Sequence, residues 1–224
     1  MTQERLVVNF HGIGEPWEGV PADEVDYWCP RADFEPLLDE LVDVRDKGRV
    51  SLRVTFDDGN LSDVEDALPA LVERGLTATF FVCAGRIGTP NYLDEHHLHQ
   101  LLGAGMGIGS HGWDHVDLRR VDDATLAKEA GESRTRIAHS AGATVTEFAL
   151  PFGSYDRRVL RALRGYREVF TSDRGRARPE GRLTPRESYV RGWVPGDVTR
   201  MAEARVSPLA RVRRRAKRTL KALR

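Results

Sequence analysis

Short apolar runs alternate along the chain with longer stretches in which apolar residues recur every three or four positions. The runs have the length of buried strands and lie at residues 6–10, 50–56, 77–82, 106–109, 147–150 and 168–172. The periodic stretches between them predict helices at residues 33–45, 64–74, 94–102, 122–140 and 156–165. A last extended piece is expected at residues 188–194. Repeated strand–helix units with short connections favour an α/β fold whose mainly parallel strands form a barrel or a distorted barrel.

Acidic and histidine side chains follow two of these apolar runs. Two adjacent carboxylates, Asp57 and Asp58, come after the second run, and two histidines four positions apart, His111 and His115, come after the fourth. Because ligands gather at the carboxyl ends of parallel strands, we expect these side chains to meet. One aspartate with two neutral imidazoles suits zinc or a similar divalent ion, and the second aspartate is then free to act as a base. Taken separately, Asp-Asp-Gly is an ordinary turn and the histidines are ordinary surface or core residues, so those interpretations stay open.

Length and composition favour one globular domain over residues 1–204. The chain has 224 residues, of which 40% are hydrophobic and 30% charged, a balance that argues against disorder. No run approaches the ~20 apolar residues of a membrane-spanning helix, and the first residues lack the basic start and apolar stretch of a secretory signal. We therefore expect a cytoplasmic protein, the alternative being that the sequence is that of an already processed form. The two cysteines, Cys29 and Cys83, are too few for a disulfide scaffold and are expected to be buried thiols.

Residues 205–224 form a separate basic segment. It has nine Lys or Arg residues and no acidic ones, so the first 204 residues carry 25 basic and 34 acidic side chains. Apolar residues recur in the segment every three or four positions, which predicts a basic helix with a narrow apolar stripe. Such a helix can dock on the acidic domain or lie on an anionic membrane surface, and both interpretations remain open. Nucleic acid is not expected, because no aromatic residues are interleaved with the cations.

Four segments match the motifs of one known family. Thr-Phe-Asp-Asp-Gly at residues 55–59 is similar to its first motif, and residues 110–115 are similar to its His-Ser/Thr-x-x-His motif, with Gly112 in the Ser/Thr place. Residues 78–82 look like the strand between these motifs, and residues 151–156 look like the third motif. Nearly everything but the basic segment thus resembles the polysaccharide deacetylase family, also called the NodB homology domain or carbohydrate esterase family 4.

The resemblance implies a distorted (β/α) barrel that removes N-acetyl groups from an amino-sugar-containing glycan or sugar precursor by metal-dependent hydrolysis. Matched position by position, Asp58, His111 and His115 hold the metal, with zinc as the first expectation and Ni, Co, Mn or Fe as alternatives. Asp57 is then the general base that activates the attacking water. A main-chain N–H near Phe152 would complete an oxyanion site.

The acid that protonates the leaving amine departs from the common family pattern. That pattern places an acid histidine in a late Leu-x-x-His motif, whereas this chain has no histidine after His139. His11 directly follows the first apolar run, where circularly permuted members of the family carry their acid histidine. The resemblance therefore implies that His11 is the general acid. The alternative is a polar loop residue beside Gly12 and Gly14.

A second departure concerns an arginine that many relatives place two residues before the proline of the third motif. In this chain that position is Ala149. An arginine from elsewhere can replace it, and Arg186, in a Thr-Pro-Arg context, is our first candidate, with Arg191 as the second. A bidentate guanidinium would keep the carboxylate of the base ionised and oriented. Asp173 is expected either to support such an arginine or to be a simple turn residue.

Residues of the third motif and several aromatic side chains are expected to line the substrate groove, because aromatic faces stack on sugar rings. The candidates for substrate binding are Pro151, Phe152, Gly153, Tyr155, Trp113 and Trp193. Packing within loops is the alternative for about half of the aromatic residues. The segment at residues 12–31, rich in Gly, Pro and Trp, is expected to form a lid or substrate-selecting loop.

Two other function classes remain open at this point. The first is a C–N hydrolase, or amidase, acting on a small cyclic or linear amide metabolite. The second is a carbohydrate-binding relative without catalytic activity, against which the complete set of catalytic candidates argues. For a deacetylase in the cytoplasm, we expect a cytoplasmic sugar precursor as substrate. If that precursor is lipid-linked, the basic segment would hold the protein peripherally at the inner membrane face.

Overall fold

The computed structural model describes residues 3–178, 181–204, 216 and 219–221. Its centre is a sheet of parallel strands that curls into a nearly closed barrel. The strands are β1 (Arg5–Phe10), β2 (Ser51–Asp58), β3 (Ala78–Val82), β4 (Gly107–Ser110), β5 (Glu147–Ala149), β6 (Glu168–Thr171), β7 (Leu183–Pro185) and β8 (Glu187–Ser188). The first six coincide with the predicted strands to within two residues at each end. The prediction of a distorted (β/α) barrel is confirmed.

The barrel closes through a single short piece of chain. β7 pairs with β6 on one side, and β8 pairs with β1 on the other. Only Arg186 separates these two strands in the sequence, so the chain passes from one edge of the sheet to the other at this residue. Its backbone N–H still donates to the Thr171 carbonyl at 3.0 Å. The backbone at Arg186 is consequently held from both edges of the sheet.

Helices cover the outside of the barrel. They are α1 (Arg31–Lys47), α2 (Leu68–Glu73), α3 (Glu95–Gly103), α4 (Asp123–Ala127), α5 (Ser133–Ala141), α6 (Arg157–Ala162) and α7 (Asp197–Glu203). A π-helical turn at Asp63–Ala67 leads into α2, and a second one at Lys128–Glu132 joins α4 to α5 with helical backbone angles throughout. The single helix predicted over residues 122–140 is therefore one rod with a π-helical turn inside it.

Alternating residues of the strands fill the barrel interior in layers. At the amino ends of the strands, Arg53 is ion-paired with Glu147 and Glu168. Above it lies a small apolar layer of Val7, Phe81, Ala149 and Phe170. At the carboxyl ends of the strands the interior becomes polar again. The barrel is thus a packed core with charged groups at both ends.

The C-terminal part of the prediction needed correction. Of the extended piece expected at residues 188–194, only Ser188 is in a strand. The strands lie earlier, at β7 and β8, where they pair with the edges of β6 and β1. Helix α7 was not predicted. Most of the predicted basic helix at residues 205–224 lies outside the described residues, although residues 216 and 219–221 are helical. Within the part of the chain that the structure describes, no helix combines the length and apolarity required to cross a membrane.

Candidate active site

The two adjacent aspartates stand at the carboxyl end of β2 and point in different directions. Asp57 continues the strand with its side chain in the barrel interior, whereas Asp58 has a φ of 79°, a left-handed conformation that is rare outside glycine. Gly59 follows with a φ of 72°, and a Cβ atom there would lie 2.9 Å from Val82 Cγ1. The turn therefore separates the two carboxylates, and strained backbone of this kind is concentrated at functional sites.

The two histidines come from the segment after β4. Nδ1 of His111 lies 2.9 Å from the carbonyl oxygen of Ala149, so that nitrogen carries the proton and Nε2 presents a lone pair. Nδ1 of His115 lies 3.4 Å from Glu24 Oε1, and its Nε2 lies 3.5 Å from Asp58 Oδ1. Burial lowers the pKa of His115 to about 4. His111 thus presents Nε2 towards Asp58, and His115 is a neutral imidazole near pH 7 with its Nε2 on the same side.

Asp58, His111 and His115 fit a divalent metal ion. Their ligand atoms all lie within 4.8 Å of one another, and His111 Nε2 is 3.8 Å from Asp58 Oδ1. Bonds of 2.0–2.2 Å to a tetrahedral zinc ion put neighbouring ligand atoms about 3.4 Å apart. A small adjustment of the side chains would therefore close the set around an ion. Burial alone would raise the pKa of Asp58, but His115, His111, His11 and Arg86 hold it below its usual value.

Asp57 lies beside this triad and is tied to Arg186. The guanidinium donates through Nη1 to Asp57 Oδ1 and through Nη2 to Oδ2, each at 2.7 Å, and both side chains are almost fully buried. Asn9 donates to Oδ2 at 3.2 Å from the next strand. Burial alone would raise the pKa of Asp57, but Arg186 and His111 hold it well below its usual range. Asp57 is consequently an ionised, oriented carboxylate.

His11 completes the polar end of the barrel from the other side. Its Nε2 lies 3.9 Å from Asp57 Oδ2, and its ring lies 4.9 Å from that of Tyr27. Burial lowers the pKa of His11, and the charges of Asp57 and Asp58 oppose that effect. The structure therefore brings together all six residues predicted as catalytic or metal-binding, namely His11, Asp57, Asp58, His111, His115 and Arg186.

A cavity of about 400 Å³ opens above these residues. Its walls include Glu24 and Tyr27 from the loop at residues 12–31, and Phe152 and Arg174 from the opposite side. Phe152 has a φ of 55°, is 56% exposed and lies with its ring 4.7 Å from that of His115. It is thus an aromatic face available beside the candidate metal-binding residues.

Of the six residues predicted to bind substrate, only Phe152 is among the residues that line the cavity. Tyr155 is 1% exposed and donates its hydroxyl proton to Asp173 at 2.6 Å. Pro151 and Gly153 are buried, and Trp113 and Trp193 pack against the core. Burial against the core thus keeps Pro151, Gly153 and Tyr155 from the cavity, and the two tryptophans are half-buried.

The structure also shows where Arg191, the second candidate for the arginine beside Asp57, and Asp173, its expected supporting residue, lie. Arg191 is exposed, and its backbone N–H donates to the Asp26 carbonyl at 2.7 Å, away from Asp57. Asp173 does not support Arg186. Its carboxylate instead accepts hydrogen bonds from Tyr155 at 2.6 Å and Lys221 at 2.7 Å. Cys29 and Cys83 are free and buried, as predicted.

The structure adds residues that the sequence did not single out. Arg86 lies 3.2 Å from Asp58 Oδ1, and Glu24 contacts His115. Burial and the nearby charge of Asp58 raise the pKa of Glu24 to about 7. Asn9 joins Arg186 to the base, and Glu129 accepts hydrogen bonds from the backbone between the two histidines. The only signal for Asn9 was its place in the run that leads to His11.

Comparison with known proteins agrees with this geometry. The family model described as polysaccharide deacetylase matches residues 45–168. YxkH of Bacillus subtilis (strain 168) is 29% identical over 126 residues, which are 55% of this chain and 45% of YxkH. A chitin deacetylase of a Pestalotiopsis species is 30% identical over 112 residues, or 50% of this chain and 37% of that protein. The chain therefore spans less than half the length of these curated relatives.

A solved structure shares the fold over almost the whole domain. The deacetylase PplD of Streptococcus pyogenes, solved in complex with acetate, superposes with a TM-score of 0.78 at 17% identity, covering 91% of this chain and 100% of that one. At this identity the similarity shows the fold. Together with the family match over more than half of the chain, the findings establish that this chain belongs to the polysaccharide deacetylase family. His11 and Arg186 lie outside the matched residues 45–168.

Proposed function

We propose that the protein hydrolyses N-acetyl groups from an amino-sugar-containing glycan or sugar precursor. The observation that carries this proposal is the ionised Asp57, held by Arg186 and placed next to three potential metal ligands and His11. A binding protein has no need for a buried carboxylate whose charge is fixed in this way, because burying such a pair is costly. The family match over residues 45–168 supports the same activity.

Asp58, His111 and His115 are the residues that would hold a divalent metal, with zinc as our first choice because of the donor set. When bound there, such an ion supplies Lewis acidity beside the acetamide carbonyl and the attacking water. Asp57 is positioned to take the proton from that water, and Arg186 keeps the carboxylate ionised and turned towards the cavity. The role of Arg186 is thus exerted through Asp57.

His11 is the residue proposed to deliver a proton to the departing amine. It lines the cavity opposite the histidine pair, and Asp57 lies between them at 3.9 Å from His11 Nε2 and 3.8 Å from His111 Nε2. A base and an acid are therefore present on two sides of the position where the amide would lie. Expulsion of an amine requires such an acid, because an unprotonated amide nitrogen leaves poorly.

The test is acetate release from N-acetylglucosamine oligomers and glycolipid precursors by zinc-loaded protein, with Asp57→Asn as the matched inactive variant. Zinc-dependent release that Asp57→Asn abolishes, while that variant still binds zinc, supports the proposal. Release only from small cyclic or linear amides would indicate an amidase instead. Binding of the oligomers without release from any substrate would indicate a carbohydrate-binding relative.

We also propose that the basic segment holds the protein at an anionic membrane surface, where a lipid-linked amino sugar would be its substrate. Lys221, within the described part of that segment, lies 2.7 Å from Asp173 Oδ1 and 5.1 Å from the ring centre of Tyr155. Asp173 stands between Ser172 and Arg174, which line the cavity. Lys221 thus lies close to the cavity lining, and the nine cations of the segment would each contribute about 1 kcal/mol at an anionic surface.

Co-sedimentation tests this second proposal. The full chain should pellet with vesicles containing phosphatidylserine and remain in solution with phosphatidylcholine vesicles. A variant with Arg213, Arg214 and Arg215 changed to Gln should lose most of the binding, while its circular dichroism is unchanged. Equal pelleting of both proteins would contradict membrane association. The cytoplasmic location stays a prediction, which cell fractionation would check.

A further inference from the structure

We propose that Glu129 is a positioning residue for the metal site: it clamps the backbone between His111 and His115 and so fixes the spacing of these two ligands. The inference rests on the proposed function, because it gives both histidines the role of metal ligands. Glu129 belongs to the second π-helical turn, Lys128–Glu132, and lies outside all the family-like motifs. The side chain of Glu129 is fully buried.

The carboxylate of Glu129 accepts hydrogen bonds from two consecutive backbone amides. Oε2 accepts from Trp113 N at 2.6 Å, and Oε1 accepts from Asp114 N at 3.0 Å. Both amides belong to the three residues that separate the histidine ligands. Hydrogen bonds to a charged acceptor are about twice as strong as neutral ones. The two bonds therefore hold this stretch as a rigid turn.

The neighbouring contacts complete the clamp. Lys128 Nζ lies 2.7 Å from Asp114 Oδ2 and 4.8 Å from the ring centre of Trp113. Gly112 N donates to Ser110 Oγ at 3.2 Å, and that hydroxyl contacts Ser133 in α5. Adjacent residues of one π-helical turn thus reach both the backbone and the side chains of the segment. π-Helical turns inside α-helices frequently occur at functional sites.

The carboxylate of Glu129 occupies the space next to Gly112 that a side chain at position 112 would need. The φ of Gly112 is +86°, and a Cβ atom on it would lie 2.4 Å from Glu129 Oε2, closer than atoms can approach. Any larger residue at this position would push the carboxylate away from the two amides. In the family pattern this is the Ser/Thr place of the histidine motif. In this chain the space of that side chain is taken by Glu129.

The test is zinc affinity, measured by competition with a chelating dye on Glu129→Ala, Glu129→Gln and Glu132→Gln. Glu132 is an exposed residue of the same π-helical turn and serves as the matched control. Residues that orient metal ligands typically contribute 10- to 100-fold to affinity. We expect a loss of that size in Glu129→Ala, a smaller loss in Glu129→Gln, which keeps one acceptor oxygen, and no change in Glu132→Gln.

A second readout needs neither zinc nor turnover. Hydrogen exchange at the amides of Trp113 and Asp114 in the metal-free protein should accelerate in Glu129→Ala and stay unchanged in Glu132→Gln. Gly112→Ala should match Glu129→Ala in zinc affinity, and the double variant should lose little more than either single one, because both remove the same contact.

The outcomes separate this proposal from the proposed function. Zinc affinity in Glu129→Ala within twofold of the unchanged protein would overturn the clamp and leave the deacetylase proposal intact. An equal loss in Glu132→Gln would also overturn it, since it would show a general effect on folding. Failure of the unchanged protein to bind zinc or any of the alternative ions Ni, Co, Mn and Fe would overturn both proposals. Absence of acetate release with the affinity pattern intact would overturn only the proposed activity.

Discussion

Arg186 and Asp57 form a bidentate ion pair inside the barrel, with both contacts at 2.7 Å, although they are 129 positions apart in the sequence. The pair forms where the strand pieces β7 and β8 close the barrel, so the same residue completes the sheet and orients the proposed base. Its guanidinium also accounts for the position of Asn9, whose Oδ1 accepts from Nη1 at 2.7 Å. Arg186, between β7 and β8, thus provides the arginine that is lacking at the position of Ala149.

Changing Arg186 to Lys should lower kcat/KM for acetate release by about 100-fold or more, because a single ammonium group cannot hold both oxygens of Asp57. Zinc affinity should change little, since Arg186 contacts none of the proposed ligands. Arg191→Lys is the control and should retain full activity. Unchanged turnover in Arg186→Lys would remove Arg186 from the mechanism.

Substitution of Asp58 should affect zinc binding, whereas substitution of Asp57 should affect turnover. Asp58→Asn removes an anionic ligand and should weaken zinc binding by about 100-fold, whereas Asp57→Asn should bind zinc within a few-fold of the unchanged protein and lose turnover. Isothermal titration with zinc and the acetate assay distinguish the two effects. The assignment is wrong if the two variants behave alike in both assays.

His11→Gln should slow amide hydrolysis by about 10² to 10⁴, the usual contribution of a general acid. Hydrolysis of 4-nitrophenyl acetate should be much less affected, because the nitrophenolate leaves without a proton. The ratio of the two rates, measured at one pH, is therefore the informative quantity. Equal losses on both substrates would mean that His11 acts in some other way, such as loop packing against Tyr27.

The metal-free protein should lose stability below about pH 6.5 because of His115. The unfolded chain has an ordinary histidine pKa of about 6.5, while burial lowers the pKa of His115 to about 4. Above pH 6.5 the imidazole is neutral in both states. Between pH 6.5 and pH 4 the unfolded state binds a proton that the folded state does not. The free energy of unfolding therefore decreases as the pH is lowered, by up to about 3 kcal/mol.

Urea unfolding of the metal-free protein at pH 7.5 and pH 5 measures this effect. His115→Asn should reduce the difference in unfolding free energy between the two pH values, whereas His139→Asn, at an exposed position of α5, should not. A difference that is the same in all three proteins would mean that other groups carry the pH dependence.

Phe152→Ala should raise KM for N-acetylglucosamine oligomers with little change in kcat, because its exposed ring offers a face for a sugar without touching Asp57. A rise of about 2- to 13-fold corresponds to the ~0.5–1.5 kcal/mol expected of one aromatic contact. Val194→Ala, at an exposed apolar position outside the cavity lining, is the control. A fall in kcat alone would instead place Phe152 in the alignment of the catalytic groups.

The sequence by itself determined the strand order along the chain, the mainly parallel barrel and the positions of the polar groups at the strand ends. These are local properties: apolar runs and helical periodicity are set by nearest neighbours along the chain, and the first six strands follow them closely. The same local signals identified Asp57, Asp58, His111 and His115, because chemistry-bearing residues follow buried strands. The alanine at position 149 indicated only that an arginine beside Asp57 had to come from elsewhere in the chain.

Only the tertiary structure decided between Arg186 and Arg191, five positions apart in an irregular stretch. There the side-chain direction depends on which strand edges are free, and pairing with β6 and β1 turned Arg186 inward. The contacts of Glu24, Arg86 and Glu129 likewise join segments distant in sequence, which no local pattern predicts. Burial of Tyr155 was decided in the same way, because whether an aromatic residue lines a cavity or packs behind it depends on the neighbours that folding brings to it.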